Sequence, residues 1–359
     1  MLTGENGILN RAKEAKEENE KQSDIEKIKL SIMGAMNEQG VLTVENLENE
    51  LKNYGVSVQE NEFPVTVNMD SGTFYIDEQG NVSNKKILTA KTIANSTKNE
   101  IINIYGSEVK GYECDNSKGV NAWKIFYSDG NNIYLITDDY IKYDYCPNSK
   151  TQLIKKNSDY SLSMNDVIKD YDGSDNILDY KLKKLNSSYF FKEENGKEVD
   201  NYSSANANMK AVAYMMDTKI WKGFLGNNAD YAIGGPTIEM LMNSYSKKYG
   251  VNYTARASSK TGYQISTDGG GNWAINGVGI LNINDSLYII DNDSGARSNA
   301  MWLASPSDLE ERNLLRVFGN GDVSSYDYTG YDMGFRPIVC LNAKVSLQKN
   351  DDGTYTIIK

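Results

Sequence analysis

The hydrophobic repeat changes from helical to strand-like within the first 76 residues, and this change constrains the fold most. Between residues 10 and 38, apolar side chains recur at helical spacing and predict a long helix with one apolar stripe: Ile25, Ile28, Ile32, Ala35 and Met36. A second helix is predicted over Val44–Asn53, with Thr43 as its cap and Gly55 near its end. The repeat then becomes two residues, as in strands with one buried face: Val65, Val67, Met69, Phe74 and Ile76. The sequence therefore predicts a long helix against a small antiparallel sheet over residues 1–83.

The rest of the chain predicts a larger α+β domain over residues 100–359. The polar residues 84–99 before it are interpreted as a linker or as a short exposed helix. The stretch "AWKIFYSDGNNIYLIT" indicates a hairpin, with strands at 123–127 and 133–136. The stretch "GGPTIEMLMNSYSKKYG" indicates a helix with Pro236 in its first position and one apolar face: Ile238, Leu241, Met242 and Tyr245. Further strands are predicted near 287–290, 301–304 and 338–341, separated by long irregular segments.

Composition narrows the function classes. The 359 residues exceed one ordinary domain, and a 39% hydrophobic content supports a sizeable core. A net charge of −11 argues against nucleic acid as a partner, because phosphates require a basic surface. The same charge disfavours binding to anionic membranes.

Histidine is absent, which removes the usual general base and the commonest zinc ligand. The three cysteines are too few and too scattered for a metal cluster, so we expect no metal site and no cofactor. Cys340 lies in an apolar run and is predicted to be an inert core thiol. Cys114 and Cys146 could form a disulfide in a secreted chain, and the sequence leaves this open.

Several short motifs are better explained as turns than as sites. "DNDSG" at 291–295 begins like a calcium loop but lacks the later Glu, and "TDGGGNW" lacks the Lys of a phosphate loop. The acidic pairs Asp138–Asp139 and Asp170 with Asp172 could serve hydrolysis, but nothing singles them out. We find no catalytic constellation and expect a protein that is not an enzyme.

Residues 319–334 have a distinctive composition, with three Tyr, three Asp, two Ser and four Gly directly before an apolar run. Tyrosine gives a large, rigid contact surface, and small polar residues supply adaptable hydrogen bonds, as in antibody binding loops. The alternative is an edge hairpin whose tyrosine rings cover the core. Composition alone does not separate the two.

The first quarter of the chain resembles prepilin-like (type IV pilin-like) proteins of Firmicutes. The matching stretches are "MLTGENGILNRAKEAKEENEKQSDIEKIKLSIMGAM" and "FPVTVNMDSGTFYIDEQGNVS". In such proteins a membrane-inserting helix precedes the segment that matches Met1, and the resemblance implies that this helix is missing here. It also implies an extracellular, cell-surface or pilus-associated location, with other pilin subunits as partners of the N-terminal helix and the membrane as a partner only through the missing helix.

The remainder resembles the C-type-lectin-like fold shared by formylglycine-generating (sulfatase-modifying) enzymes and the variable proteins of diversity-generating retroelements. The matching stretches are "WKIFYSDGNNIYLITDDYI", "YAIGGPTIEML", "MWLASPS" and "GFRPIVCLNAKV". In the variable proteins the segment before the last strand binds the ligand. Carried onto this chain at about 313–333, the implied ligand-binding residues are Arg316, Asn320, Asp322, Ser324, Ser325, Tyr326, Asp327, Tyr328, Tyr331 and Asp332.

The resemblance thus implies a surface-displayed adhesin that binds a protein or glycan, with Gly334–Pro337 as fixed scaffold. Arg336 is expected to pair with a buried carboxylate or with backbone carbonyls, and the three tyrosines of 326–331 are expected on a loop outside the core. One alternative is an enzyme related to sulfatase-modifying proteins. Such enzymes use active-site cysteines, whereas here Cys340 is the one cysteine near Gly334–Pro337 and lies in an apolar run. Another is a minor pilin whose large domain is a purely structural tip.

Overall fold

The fold is α+β, with a long N-terminal helix and several small antiparallel sheets. A computed structural model describes residues 5–147, 162–168, 171, 207–250, 253–257, 263–267, 276–277, 281–290, 300–306, 313–327 and 332–358. Two compact units are present, one formed by Met1–Thr89 with Lys344–Lys359 and the other by Ala90–Ala343.

Helices and strands are numbered along the chain over the described residues. The helices are α1 (Glu5–Ala35), α2 (Val44–Leu51), α3 (Ala90–Asn95), α4 (Lys98–Ile104), α5 (Met164–Ile168), α6 (Ala207–Met216) and α7 (Ile238–Tyr249). The first nine strands are β1 (Val65–Met69), β2 (Gly72–Ile76), β3 (Val82–Ser83), β4 (Ile87–Leu88), β5 (Val109–Lys110), β6 (Trp123–Ser128), β7 (Ile133–Thr137), β8 (Leu162–Ser163) and β9 (Ala229–Ile233). The remaining strands are β10 (Tyr253–Ala257), β11 (Tyr263–Thr267), β12 (Asn276–Gly277), β13 (Ala300–Pro306), β14 (Asn313–Phe318), β15 (Val323–Asp327), β16 (Asp332–Met333), β17 (Ile338–Leu341), β18 (Ser346–Lys349) and β19 (Tyr355–Ile358).

Helix α1 packs through the apolar stripe that the sequence predicts. Ile28, Ile32 and Ala35 are buried, whereas Ile25 is half-buried and Met36 is 37% exposed at the helix end. The helix ends at Ala35 rather than near residue 38, and the Asn37 side chain accepts hydrogen bonds from two backbone amides of the following turn. Among the residues that the structure describes, no helix combines the length and apolar character of a bilayer span.

The small sheet next to α1 has the order β1-β2-β3, in the register that the alternating apolar residues predict. The side chains of helix α1, helix α2 and the sheet form one core: Ile28, Ile32, Ala35, Leu42, Leu47, Leu51, Val65, Val67, Phe74 and Ile76. Asp77 closes the turn after β2, because its carboxylate accepts the amides of Gln79 and Asn81. Gly80 has a φ of +80° there, and a Cβ at this position would lie 2.9 Å from Ile32 Cγ2, so the turn requires glycine.

The region interpreted as a linker or a short exposed helix contains both a strand and a helix, and the helix is partly buried. Residues 84–99 contain strand β4 and helix α3, in which Ile87, Leu88 and Ile93 are buried. Strand β18 pairs with both β4 and β19, so the end of the chain joins the first compact unit instead of the second. The apolar residues of 84–99 are too few for a periodic signal, and β4 is recognisable only through its distant partner.

In the second unit, β17 lies between β7 and β9 in a sheet of order β6-β7-β17-β9. All four residues of β17 are buried, and the β6–β7 hairpin is antiparallel, so both predictions are confirmed. Strand β17 is not the last, since β18 and β19 follow it.

Helix α7 buries the predicted face of Ile238, Leu241, Met242 and Tyr245. Its start was predicted at Pro236, but Thr237 is the N-cap, and its hydroxyl accepts the Met240 amide at 3.2 Å. Pro236 therefore precedes the cap.

Two of the other predicted strands have different outcomes. Residues 301–304 lie within β13, as predicted. Residues 287–290 are buried but do not form a strand: a turn covers 286–288, and the amides of Tyr288 and Ile289 both donate to the Asp285 carbonyl.

A pair of substitutions on adjacent residues of α1 tests the core of the first unit. Ile32→Ala removes a side chain that is 4% exposed and should lower the free energy of unfolding by about 2–5 kcal/mol. Met33→Ala changes a residue that is 72% exposed and should stay within about 0.5 kcal/mol. Urea denaturation followed by circular dichroism measures both, and equal losses in the two variants would contradict this packing.

Candidate functional site

The segment predicted to carry the ligand surface forms a β-hairpin. Strands β14 and β15 are antiparallel, and Val317 pairs with Val323 next to the turn. The turn is closed by the Phe318 amide, which donates to the Asp322 carbonyl at 2.8 Å, and by the Gly321 amide, which donates to the Phe318 carbonyl at 2.9 Å. Of the two alternatives for this stretch, the backbone is that of a hairpin, with a tight turn followed by a strand, and not that of a loop.

The hairpin collects most of the predicted site residues. Arg316 lies in β14, Asn320 and Asp322 lie in the turn, and the following candidates lie in β15: Ser324, Ser325, Tyr326 and Asp327. Asp332 lies apart in β16, where it pairs with Ser163 of β8. Tyr328 and Tyr331 lie outside the described residues.

Two of the expectations for these residues need correction. Tyr326 was expected on a loop, but its backbone lies in β15 opposite Leu314, because the β14 partner converts this polar stretch into a strand. Ser324 was expected on the binding surface, but it is only 7% exposed and receives a hydrogen bond from the Arg316 Nε at 3.3 Å. Ser324 therefore acts as a hydrogen-bond partner of Arg316, its neighbour across the hairpin.

Arg316 is held by its neighbours on the hairpin. Its guanidinium carbon lies 4.8 Å from the centre of the Phe318 ring, within the range of a cation–π contact. Together with the bond to Ser324, this stacking fixes the orientation of a half-buried cation. In the turn, the Asn320 Nδ2 donates to the Asp322 Oδ2 at 2.8 Å, so the two polar side chains of the turn also hold each other.

The hairpin is anchored in the interior of the second unit. The neighbouring residues Leu314 and Leu315 are both buried, and adjacent strand residues point to opposite faces, so both faces of β14 are covered here. The turn is fixed as well, since the Leu281 amide donates to the Gly321 carbonyl at 2.9 Å. A Cβ on Gly321 would collide with the Leu281 carbonyl oxygen, and the φ of +87° also favours glycine.

Arg336 follows the hairpin and is fully buried. Its Nε and Nη2 donate to the Thr137 carbonyl at 2.9 and 2.6 Å, and its Nη1 donates to the Leu287 carbonyl at 2.8 Å. Of the two partners expected for this residue, the backbone carbonyls are confirmed. The guanidinium thus joins the end of β7 to the turns of 281–290.

Burial lowers the pKa of Arg336 to about 10, while Tyr140 and the carboxylates of Asp138, Asp139 and Asp285 act in the opposite direction. At neutral pH the guanidinium remains protonated, so the interior of this unit contains a positive charge. Hydrogen bonds to carbonyl groups and acidic residues at longer range stabilise this charge.

An ion pair holds the 281–290 segment against helix α7. Lys248 Nζ lies 2.7 Å from the Asp285 Oδ2, and both side chains are nearly buried. The same carboxylate accepts the Tyr249 hydroxyl at 2.7 Å and the Leu287 amide at 3.0 Å. Asp285 and Arg336 therefore hold opposite groups of Leu287, its amide and its carbonyl.

The cysteines are free thiols, and burial raises the pKa of each of them: Cys114, Cys146 and Cys340. For Cys340, which is 1% exposed, the pKa rises to about 12, as predicted for an inert core thiol. A nucleophilic cysteine requires the opposite shift. No disulfide joins Cys114 to Cys146.

The acidic residues considered from the sequence serve as local anchors where they are described. Asp138 accepts the Ala122 amide and Asp139 accepts the Tyr140 amide. Asp170, Asp172, the "DNDSG" turn and most of "TDGGGNW" lie outside the described residues. Within the described part of the chain, no group of three potential ligands is arranged to hold a metal ion.

Comparisons with known proteins add no further constraint, since no family model, curated protein or solved structure matches the chain.

Sequence reasoning identified Arg336 but missed Asp285 and Lys248. Lys248 lies on the polar side of a predicted helix, and Asp285 lies in a turn. Charged residues at such positions are usually exposed, so the sequence gives no reason to expect that these two are buried. The available signal was the density of tyrosines near them, since Tyr245, Tyr249 and Tyr288 form one aromatic cluster around the ion pair.

The Arg336 contacts predict a large cost for a conservative exchange. Arg336→Lys keeps the charge but cannot reproduce the planar fork that serves two carbonyls, so the free energy of unfolding should fall by at least about 2 kcal/mol. Arg11→Lys makes the same exchange at an exposed position of α1 and should have no measurable effect. Equal thermal stability of the two variants would show that the buried fork is unimportant.

The Asp285 contacts predict a pH dependence. Burial alone would raise the pKa of Asp285, but hydrogen bonds from Lys248, Tyr249 and Leu287 bring it below its ordinary value. A lowered folded-state pKa gives stability that is complete above the unfolded value of about 4 and is lost as the pH falls through the folded value.

Asp285→Asn should therefore reduce stability at pH 7 and weaken the loss of stability below about pH 4. The exposed Asp115→Asn variant serves as control and should follow the parent chain. Urea titrations from pH 7 to pH 2 measure the free energy of unfolding of both variants. If the Asp285 variant loses stability below pH 4 as steeply as the parent chain, Asp285 does not contribute to the acid sensitivity.

Proposed function

We propose that this protein is a surface-displayed, pilin-like adhesin whose 313–333 surface binds a protein or glycan ligand. The observation that carries the proposal is the assembly of the following candidates on a single anchored hairpin, with Ser324 holding Arg316 in place: Arg316, Asn320, Asp322, Ser325, Tyr326 and Asp327. Cationic, acidic, aromatic and small polar residues thus share one hairpin that backbone hydrogen bonds hold in place. A recognition surface requires such a fixed arrangement.

The chemistry of the hairpin supports recognition. Arg and Tyr are the residues most often found at the energetic centres of interfaces, and Ser, Asn and Asp provide adaptable hydrogen bonds around them. A stacked arginine is already oriented, so less conformational entropy is lost when a ligand binds. Planar guanidinium groups also bind carboxylates in a bidentate manner, which suits acidic peptides and acidic sugars.

The N-terminal helix supports display away from the rest of its unit. Residues 8–20 of α1 are exposed on every side, and the core contacts begin only at Asp24. A polar helix of this kind bridges solvent or packs on another chain. In the proposed adhesin this part of α1 continues toward other pilin subunits and the membrane-inserting helix of the resembling proteins.

The composition of the surface also fits diversification by a retroelement, in which template adenines convert Asn codons into codons for Tyr, Ser, Asp and Gly. Sequencing the flanking DNA tests this part. A near-copy of the 313–340 coding region beside a reverse transcriptase gene is expected, and its absence would restrict the proposal to a fixed binding surface.

Binding by the tyrosines is tested with a triple variant, Tyr326→Ser with Tyr328→Ser and Tyr331→Ser. The labelled parent chain is applied to a glycan array and to intact epithelial and bacterial cells. We expect the triple variant to lose binding by at least about 100-fold, since aromatic anchors often contribute about 2 kcal/mol or more each. If the three rings belong to the proposed surface and not to the core, the melting temperature should change little, because surface substitutions usually cost within about 0.5 kcal/mol each.

Tyr54→Ser is the matched control, because Tyr54 is 44% exposed and lies in the first unit. This variant should bind like the parent chain. A parent chain that binds none of the probes, or a triple variant that binds as well as the control, would contradict the proposed surface. A large fall in the melting temperature of the triple variant would instead identify the tyrosines as rings that cover the core.

A further inference from the structure

The β1-β2-β3 sheet of the first unit ends at a strand edge with which no described strand pairs. In the order β1-β2-β3, strand β1 pairs with β2 on one side, and none of the described strands pairs with its other side. An open edge presents backbone donors and acceptors to any other extended chain, and natural proteins usually block such edges.

The β1–β2 register identifies the residues of β1 whose backbone amide and carbonyl groups point away from β2, here called outward. Residues of an antiparallel pair alternate between those that bond to the partner strand and those that bond away from it. The Thr66 amide donates to the Glu60 carboxylate at 3.1 Å, so Thr66 belongs to the outward set. Asn68, two residues later, belongs to the same set.

Side-chain contacts support this assignment. Opposing side chains are closest in the pairs that do not exchange backbone hydrogen bonds. Asn68 pairs with Thr73, and the Thr73 hydroxyl donates to the Asn68 Oδ1 at 2.9 Å. The outward backbone groups of β1 are therefore those of Thr66 and Asn68.

Glu60 occupies the place that a carbonyl of an added strand would take. The Glu60 carboxylate accepts the amide of Thr66, six residues later in the chain, and the Glu60 side chain is only partly exposed. Burial alone would raise the pKa of Glu60, but the hydrogen bonds from Thr66 bring it below its ordinary value. The ionised carboxylate is thus the form that occupies the edge.

We propose that Glu60 caps the open edge of β1, and that this edge, once uncapped, pairs antiparallel with the same edge of a second copy of the chain. The edge is self-complementary. Under a two-fold axis at Val67, Thr66 of each copy faces Asn68 of the other, and the two pairs exchange four backbone hydrogen bonds. Val65 and Val67 remain in the core of their own unit, so the pairing requires no unfolding.

Glu60→Ala tests the cap in the full-length chain. We expect a concentration-dependent species of twice the parent mass in analytical ultracentrifugation, with association at least about ten-fold tighter than in the parent chain. In this species the Thr66 and Asn68 amides should exchange slowly with deuterium. Glu78→Ala removes an exposed acid from the turn after β2 and should behave like the parent chain.

A second variant distinguishes edge pairing from other association. Asn68→Pro removes the outward donor of a position where an edge strand tolerates proline. Added to Glu60→Ala, it should abolish the new species. Persistence of the species in the double variant would overturn the proposal. So would a Glu60→Ala chain that keeps the parent mass while its circular dichroism spectrum shows a folded protein.

Discussion

The guanidinium of Arg336 lies fully buried between the end of β7 and the turns of 281–290, and the architecture of the second unit depends on how this charge is accommodated. A buried charge is costly unless hydrogen bonds and opposite charges compensate it. Here two backbone carbonyls accept its donors, and Asp285 holds the amide of Leu287 while Arg336 holds the carbonyl of the same residue. Both backbone groups of Leu287, in an irregular segment, are therefore hydrogen-bonded.

The position of Arg336 links this framework to the candidate surface. Two residues later the chain enters β17, the buried strand between β7 and β9, and the hairpin of β14 and β15 precedes it. The hairpin turn is bound to Leu281, which belongs to the segment that Arg336 and Asp285 hold. The backbone of the candidate surface is thus held by hydrogen bonds and buried residues other than the candidate side chains themselves.

The sequence predicted the elements whose apolar residues repeat regularly. The stripe of α1, the alternation of β1 and β2, and the buried run of β17 are each visible without a partner. Strand β15 was predicted only in the alternative of an edge hairpin, because Ser324, Ser325 and Asp327 give no apolar alternation and the pairing with β14 is not visible in the sequence. Residues 287–290 were predicted as a strand because a short apolar run does not distinguish a strand from buried irregular chain. Within the candidate site, the residue types came from composition and resemblance, whereas the burial of Ser324 and the stacking of Arg316 on Phe318 required three-dimensional contacts.

The central claim is that the candidate surface stands on a rigid hairpin that belongs to the same cooperative unit as β17. Hydrogen exchange of the parent chain, followed by mass spectrometry, tests this directly by comparing peptides that cover Asn313–Phe318, Val323–Asp327 and Ile338–Leu341. The account predicts slow exchange of the paired amides in all three peptides, with similar free energies of opening. Complete exchange of the two hairpin peptides within seconds, while Ile338–Leu341 stays protected, would contradict it.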